Sequence, residues 1–290
     1  MSETYTKVYF VTGGGTGGHI YPAMAVADAL SEDAKVYYVG NKRNMEYELT
    51  TKKGYKFLHV GVSGMPRKLN PKFFYWGLRL VRAILYSIRY IKKYKPNAVF
   101  ATGGYVSAPM VFACIITKTP YMMHDCDAMP GLVTRRLSKR AKYVSLAFEK
   151  AKKFIPNRHA IITGNPIRPE FKSLSKEEAR INLGLANKLT MTIMGGSQGA
   201  KSINNTAVEI LKEFTQDEDM QIIFQTGKKN YEEISEKLKL IYPAWEQNPN
   251  LIVKPYFMDM ISVLKSSDIV ISRAGSLSLS EICASGAAPI

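Results

Sequence analysis

Gly13-Gly14-Gly15-Thr16-Gly17-Gly18-His19 in the first half of the chain, and Gly195-Gly196-Ser197-Gln198-Gly199-Ala200 in the second, each follow a short apolar run and open onto a helix-like segment. Glycine lets a backbone turn sharply and come close to a phosphate or sugar with no Cβ in the way. The helix that follows offers free amide hydrogens and the positive end of its dipole to an anion. Two such turns, near the starts of two halves of one chain, predict two nucleotide-type α/β domains facing each other across a cleft.

The segments around the turns agree. Residues 8–11, 36–39, 57–60, 98–101 and 121–123 read as short buried strands, with helix-like runs over residues 22–30 and 71–93. Pro22 suits the first turn of the first helix. Gly103-Gly104-Tyr105 follows the fourth strand, and the fifth runs into His124-Asp125. Strands alternating with helices predict a doubly wound parallel sheet. Gly164-Asn165-Pro166 reads as the hinge, dividing the chain into residues 1–164 and 165–290. The pattern then restarts, with strands over 190–194, 222–225, 251–254 and 268–272 and helices over 201–214, 231–240 and 279–284. Residues 287–290 begin a further strand, so the second domain is expected to be incomplete.

The chain has 290 residues, 46% of them hydrophobic and 22% charged, an ordinary globular balance that allows two domains. No signal peptide and no membrane-spanning run is expected. Cys114, Cys126 and Cys283 lie far apart without metal-ligand spacing, which suits a reducing cytoplasm. The formal charge of +16 is unevenly placed: residues 1–160 hold 26 Lys+Arg against 9 Asp+Glu, and residues 161–290 hold 14 against 15. Such a one-sided field predicts an anionic partner, whether a lipid surface, a phosphorylated substrate or nucleic acid. Residues 65–95, MPRKLNPKFFYWGLRLVRAILYSIRYIKKYK, carry nine basic residues and no acid among aromatic and aliphatic ones. They read either as a core helix with a solvated basic face or as a patch pressing onto anionic lipid. No signature of nucleic-acid binding is present.

Gly13-x-Gly15-x-x-Gly18 fits the dinucleotide fingerprint, but the second strand ends Val39-Gly40-Asn41-Lys42 with no carboxylate for a ribose, and no Lys-Ser/Thr follows the turn as in a P-loop. His19 closes the turn where a general base is well placed. Asp125-Cys126-Asp127 has the spacing of a metal clamp, but turn amides and helix N-termini can steady a leaving diphosphate without one. Glu281, beside the small-residue turn Arg273-Ala274-Gly275-Ser276, could accept both hydroxyls of a ribose.

The runs GGGTGGHIYPAMAVADAL, ATGGYVSAP, GNPIR, GGSQGAKSIN and RAGSLSLSEI, in this order from residue 8 to 290, closely resemble the MurG family of bacterial N-acetylglucosaminyltransferases. The resemblance implies a GT-B fold of two Rossmann-like domains. It also implies inverting, metal-independent transfer of GlcNAc from UDP-GlcNAc to lipid I, giving lipid II for peptidoglycan synthesis. No cofactor and no metal is expected. The first domain would hold the acceptor at the anionic cytoplasmic face of the membrane, as a peripheral protein. The second would hold UDP-GlcNAc, and cell-wall synthesis proteins are further candidate partners.

By position, the resemblance assigns Thr16, Gly17, Gly18 and His19 to the acceptor side and the diphosphate-facing loop, the first three also as UDP-GlcNAc contacts. His19 and Asp125 are the candidate bases. Tyr105, His124, Asp127 and Thr134 fall on the acceptor side. Arg168, Ser197, Asn204, Phe257 (through its backbone), Arg273 and Glu281 fall on the donor side. The chain departs from the family after His124, where Asp125-Cys126-Asp127 replaces Glu-Gln-Asn, and at Thr134, where the family has Asn. Asp127 adds an anion that Arg135 and Arg136 are expected to offset. A different lipid-linked acceptor, or a non-catalytic binding role, stays open on these residues. The family continues beyond the last residue here with a segment that contacts the donor sugar.

Overall fold

The computed structural model describes residues 7–66, 71–196, 198–214 and 219–290. The chain divides into two compact units, Met1–Arg168 and Pro169–Ile290. In the first, β1 (Val8–Thr12), β2 (Lys35–Gly40), β3 (Lys56–His59), β4 (Ala98–Ala101), β5 (Tyr121–Asp125), β6 (Tyr143–Leu146) and β7 (Ala160–Ile162) form one sheet in the order β3-β2-β1-β4-β5-β6-β7. All neighbours pair in parallel. The connecting helices are α1 (Gly17–Ser31), α2 (Met45–Lys52), α3 (Pro71–Tyr94), α4 (Gly104–Thr117) and α5 (Leu132–Leu137).

Side chains alternate across a strand, so a sheet covered on both faces needs apolar residues at consecutive positions. Phe10, Tyr37 and Val39 pack on one face with Ala83 and Ile91 of α3 and Met110 and Val111 of α4. Their neighbours Val11, Val36 and Tyr38 pack on the other with Ile20, Ala23, Met24 and Ala27 of α1. Pro22 is not in the first turn of α1, because that helix already begins at Gly17. Proline has no N–H for the carbonyl four residues back. The Gly18 carbonyl instead accepts from the Cys126 thiol at 3.5 Å.

In the second unit, α6 (Glu170–Ser173) and α7 (Lys176–Leu183) precede β8 (Leu189–Met194), α8 (Lys201–Phe214), β9 (Met220–Gln225), α9 (Tyr231–Ile241), β10 (Leu251–Lys254), α10 (Met260–Ser266), β11 (Ile269–Ser272), α11 (Ser276–Ser285) and β12 (Ala288–Pro289). The sheet order is β10-β9-β8-β11-β12, again parallel. Ile193, Ile222 and Phe224 pack against Ala207 and Leu211 of α8 and Ile234 and Leu238 of α9. Asp268, at the entry to β11, accepts from the Thr190 amide at 2.8 Å and pairs with Lys176 and with Arg180 at 3.2 Å, fixing α7 to β8.

The division falls after Arg168 rather than at Gly164. Asn165 accepts from the His124 ring at 3.1 Å, and the Arg168 guanidinium lies 5.2 Å from the Tyr21 ring centre, so residues 165–168 are held by the first unit.

Gly199 has φ +73°, and a Cβ built there would stand 2.0 Å from the Thr226 carbonyl oxygen. Gly54 has φ +83° with open space around it. Gly54→Ala should therefore cost about 1 kcal/mol, the left-handed backbone penalty alone. Gly199→Ala should cost at least about 3 kcal/mol, because the turn must move. Urea unfolding of the two variants measures the difference, and equal losses would contradict it.

Candidate functional site

In each sheet the chain leaves two adjacent strands in opposite directions, and the loops beyond their carboxyl ends part to leave a crevice. In the first unit these strands are β1 and β4. β1 runs into the Gly13–His19 turn, and β4 into Thr102-Gly103-Gly104. Two hydrogen bonds of opposite sense join the turns. The Thr102 hydroxyl donates to the His19 carbonyl at 2.6 Å, and His19 Nδ1 lies 2.8 Å from the Thr102 carbonyl. A carbonyl only accepts, so Nδ1 carries the proton and Nε2 of the neutral ring keeps its lone pair. Gly104 makes the approach possible: at φ +72°, a Cβ there would stand 2.7 Å from the Gly14 carbonyl oxygen and 3.0 Å from His19 Cδ2.

The sequence reading missed Glu46. This residue sits in the first turn of α2 and is fully buried. Its carboxylate accepts from the amides of Gly15 at 3.3 Å and Asn41 at 3.1 Å, and from Asn44 Nδ2 at 3.1 Å. Asn44 Nδ2 also lies 3.1 Å from the Tyr105 hydroxyl, which places Tyr105 beside the glycine turn. The acid absent from the end of β2 is thus supplied six residues later, but it holds the turn's backbone from below. The Gly15 amide is engaged by it. Gly15 and Thr16 are the exposed part of the turn, and Thr16 stands at the N-terminus of α1 with no side-chain cap and no acid in the first helical turn. Gly17 and Gly18 open that helix.

The end of β5 differs from expectation. His124 is fully buried, with Nδ1 2.7 Å from the Ser145 hydroxyl and Nε2 3.1 Å from Asn165 Oδ1. Burial holds its pKa below the usual histidine range. With both nitrogens engaged, it ties β5 to β6 and to the segment leading out of the unit, and does not itself line an open cleft. Asp125 is also buried, and its two oxygens accept from the Asp127 amide at 3.2 Å and the Gly131 amide at 3.0 Å. It closes its own loop, which leaves His19 the better placed of the two candidate bases.

Asp127 is exposed, and its carboxyl is raised by desolvation and then by the Asp125 charge, with His19 opposing. His19 is the group that pulls it down, and Arg135 and Arg136, expected from the sequence to offset its charge, are not among the causes. Thr134 is fully buried beside Gly103, and its hydroxyl finds no partner among the described residues.

In the second unit the corresponding strands are β8 and β11, leading into the Gly195–Ala200 turn and the Arg273–Gly275 turn. Ser197 lies outside the described residues. Gln225 links the site: its Nε2 donates to the Gly196 carbonyl at 3.2 Å, and its Oε1 accepts from the Phe257 amide at 2.9 Å. The Phe257 amide is therefore engaged, and its ring is buried against Ile223 and Val263. Asn204, also buried, donates to the Thr226 carbonyl at 2.8 Å and braces the turn from behind. Arg273 is exposed just beyond β11, and Glu281 lies on α11, 8% exposed. Arg168 belongs to the first unit, its guanidinium 5.2 Å from the Tyr21 ring centre.

Helix α3 presents a second surface. Phe74, Leu78, Val81 and Leu85, three or four residues apart, form a stripe 53–69% exposed. Its opposite face carries the buried Ala83, Ser87 and Ile91. A stripe of large apolar side chains facing water is unusual for a monomer's surface. One face of α3 is core, and the other is an apolar patch among Lys72, Arg79, Arg82 and Arg89. Arg67 and Lys68 lie outside the described residues. No helix among the described residues is long and apolar enough to cross a membrane.

Known proteins share this architecture. Residues 9–146 match the glycosyltransferase family 28 N-terminal domain, and residues 190–290 match the family 28 C-terminal domain. The UDP-N-acetylglucosamine--N-acetylmuramyl-(pentapeptide) pyrophosphoryl-undecaprenol N-acetylglucosamine transferase of Desulforamulus reducens is 38% identical over 281 residues, 95% of this chain and 76% of that protein. The protein of the same name from Halalkalibacterium halodurans is 35% identical over 280 residues, 95% of this chain and 76% of that protein. The crystal structure of Acinetobacter baumannii MurG superimposes with a TM-score of 0.70 at 26% identity, covering 98% of this chain and 78% of that one. Identity at this level along nearly the whole chain, with both family 28 domains in order, means that the chain belongs to the MurG family of glycosyltransferases.

Proposed function

We propose that this protein transfers GlcNAc from UDP-GlcNAc to lipid I, forming lipid II in peptidoglycan synthesis, with His19 as the general base. The observation that carries the role of His19 is its bond to the Thr102 carbonyl, which fixes the proton on Nδ1 and leaves Nε2 free to accept another. As Nε2 takes the proton of the acceptor's C4 hydroxyl, that oxygen attacks the anomeric carbon of GlcNAc. The bond from that carbon to the diphosphate breaks, its electron pair leaves with UDP, and the configuration inverts. Asp125 acts on the loop and not on the proton, since both its oxygens serve backbone amides.

On the donor side, the second glycine turn and the uncapped N-terminus of α11 at Gly275 would steady the charge that develops on the diphosphate. Arg273 would pair with it, and Glu281 would accept the ribose hydroxyls. The Phe257 amide is already given to Gln225, so uracil recognition at this position would use the backbone carbonyl. On the acceptor side, Tyr105 and Asp127 would line the sugar and Thr16–Gly18 would face the diphosphate, with the fully buried Thr134 packed behind them against Gly103. The stripe on α3 supports a peripheral seat on an anionic membrane, its apolar side chains entering the headgroup layer and its arginines meeting lipid phosphates.

His19→Ala should lower kcat by about 10²- to 10⁴-fold with a lipid I analogue. Wild-type single-turnover rates in that variant would remove His19 as the base. Glu281→Ala should raise KM for UDP-GlcNAc by about tenfold or more, through loss of charged hydrogen bonds, and leave the KM for the acceptor unchanged. Vesicles of phosphatidylglycerol and phosphatidylcholine should sediment the protein at low salt. Leu78→Ser with Leu85→Ser should weaken that association at least about tenfold. Unchanged sedimentation would refute the membrane face.

A further inference from the structure

Gln225 ends β9, the strand between β8 and β10. It stands in register with Met194 and Lys254, the last residues of those two neighbours. The loop after Met194 is the second glycine turn, and the loop after Lys254 is the segment 255–259 that holds Phe257. A side chain rooted here can reach both loops from beneath. Gln225 is 1% exposed and does so: its Nε2 donates to the Gly196 carbonyl, and its Oε1 accepts from the Phe257 amide.

The two partners differ in kind, which fixes the orientation of the carboxamide. A carbonyl only accepts and a backbone amide only donates, so one planar group must supply a donor and an acceptor together. Asparagine is one methylene too short, an ionised glutamate has no donor, and lysine and arginine have no acceptor. Each loop is also braced by itself. A Cβ at Gly199 or Gly227 would stand 2.0 Å from the Thr226 carbonyl oxygen or 2.4 Å from that of Gln198, so the turn rests directly on the end of β9. Asn204 and Asn230 donate to the Thr226 carbonyl at 2.8 and 3.1 Å, and Asn230 also donates to that of Gln198 at 3.3 Å. The Phe257 ring is fixed separately, against Ile223 and Val263. Gln225 is the side chain that ties one braced loop to the other.

We infer that Gln225 is a positioning residue which, on the donor reading of the second unit, sets the spacing between the loop that meets the diphosphate and the loop that meets the base. At its depth it touches neither part of the nucleotide. A nucleoside diphosphate must engage both loops at once. An error in their spacing therefore costs it affinity that a ligand of either loop alone retains.

Calorimetric titration with UDP, uridine and inorganic pyrophosphate tests this role. Gln225→Met fills the same space with neither bond, and its Kd for UDP should rise at least about tenfold. Uridine and pyrophosphate, each titrated alone, should lose less than about threefold. Gln225→Glu keeps the acceptor for Phe257, but only its protonated form can donate to Gly196. Burial favours that form, so UDP affinity in Gln225→Glu should lie within about threefold of wild type at about pH 5.5 and fall away from it as the pH rises. This second variant carries the test even where Gln225→Met does not fold. Parallel losses for all three ligands in Gln225→Met would mean that the side chain merely stabilises the unit, and would overturn the positioning role. So would UDP binding left unchanged by Gln225→Met, or a Gln225→Glu protein still about tenfold weaker than wild type at about pH 5.5. Wild-type protein that binds no UDP would instead remove the donor reading itself, and the role of Gln225 with it.

Discussion

The two hydrogen bonds between Thr102 and His19 are the constraint on which the rest of the first unit's chemistry depends. They run in opposite directions, so neither turn can shift without breaking both. They also decide two separate things. The hydroxyl-to-carbonyl bond fixes where the α1 N-terminus begins, and the imidazole-to-carbonyl bond fixes which ring nitrogen can take a proton. The glycines around them follow from this closeness. Any Cβ at Gly13 or Gly104 would enter the space of the threonine, the histidine or the facing backbone. The glycine-rich character of the turn is thus a packing requirement of the β1–β4 junction as much as a provision for a ligand.

Glu46 complements this arrangement. A glycine-rich turn exposes more amide hydrogens than its backbone can satisfy, and buried donors without partners are costly. The Glu46 carboxylate takes one of them, that of Gly15, and ties it to the Asn41 amide and the Asn44 side chain, and so converts a turn of high intrinsic freedom into a fixed one. The consequence is electrostatic. An anion approaching from outside meets the open end of α1 at Thr16, with the buried Glu46 carboxyl behind the turn.

The strand–helix alternation and both glycine turns were legible in the sequence because apolar runs of four to six residues bounded by glycines have few other readings. Nearly every strand read from the sequence lies within a residue or two of its place. Glu46 was not legible: in Met45–Lys52 it stands among polar neighbours, and only the fold brings the glycine turn over it. Pro22 was misplaced because the helix rule for proline assumes that the carbonyl four residues back needs an amide, and here a cysteine thiol meets it. The hinge was misplaced because Gly164, with φ +72°, has the conformation of a boundary, while the contacts of Asn165 and Arg168 carry the first unit four residues further. His124 and Asp125 read as cleft residues from their position at a strand end, yet one turn of geometry separates a side chain that lines a crevice from one that holds its wall.

The departures after β5 take on a different weight in this light. Asp125 has an arm one methylene shorter than the glutamate of the family pattern, and both its oxygens reach loop amides, so the shorter arm serves loop closure. Asp127 replaces a neutral amide, and its carboxyl, raised by desolvation and the Asp125 charge, is lowered by His19. In the proposed reaction the imidazole gains a proton as the acceptor oxygen attacks. A carboxylate nearby favours the resulting cation, in the way that the third member of a catalytic triad favours its histidinium. The same carboxylate opposes a second anion at that spot, which argues for seating the acceptor's diphosphate away from Asp127.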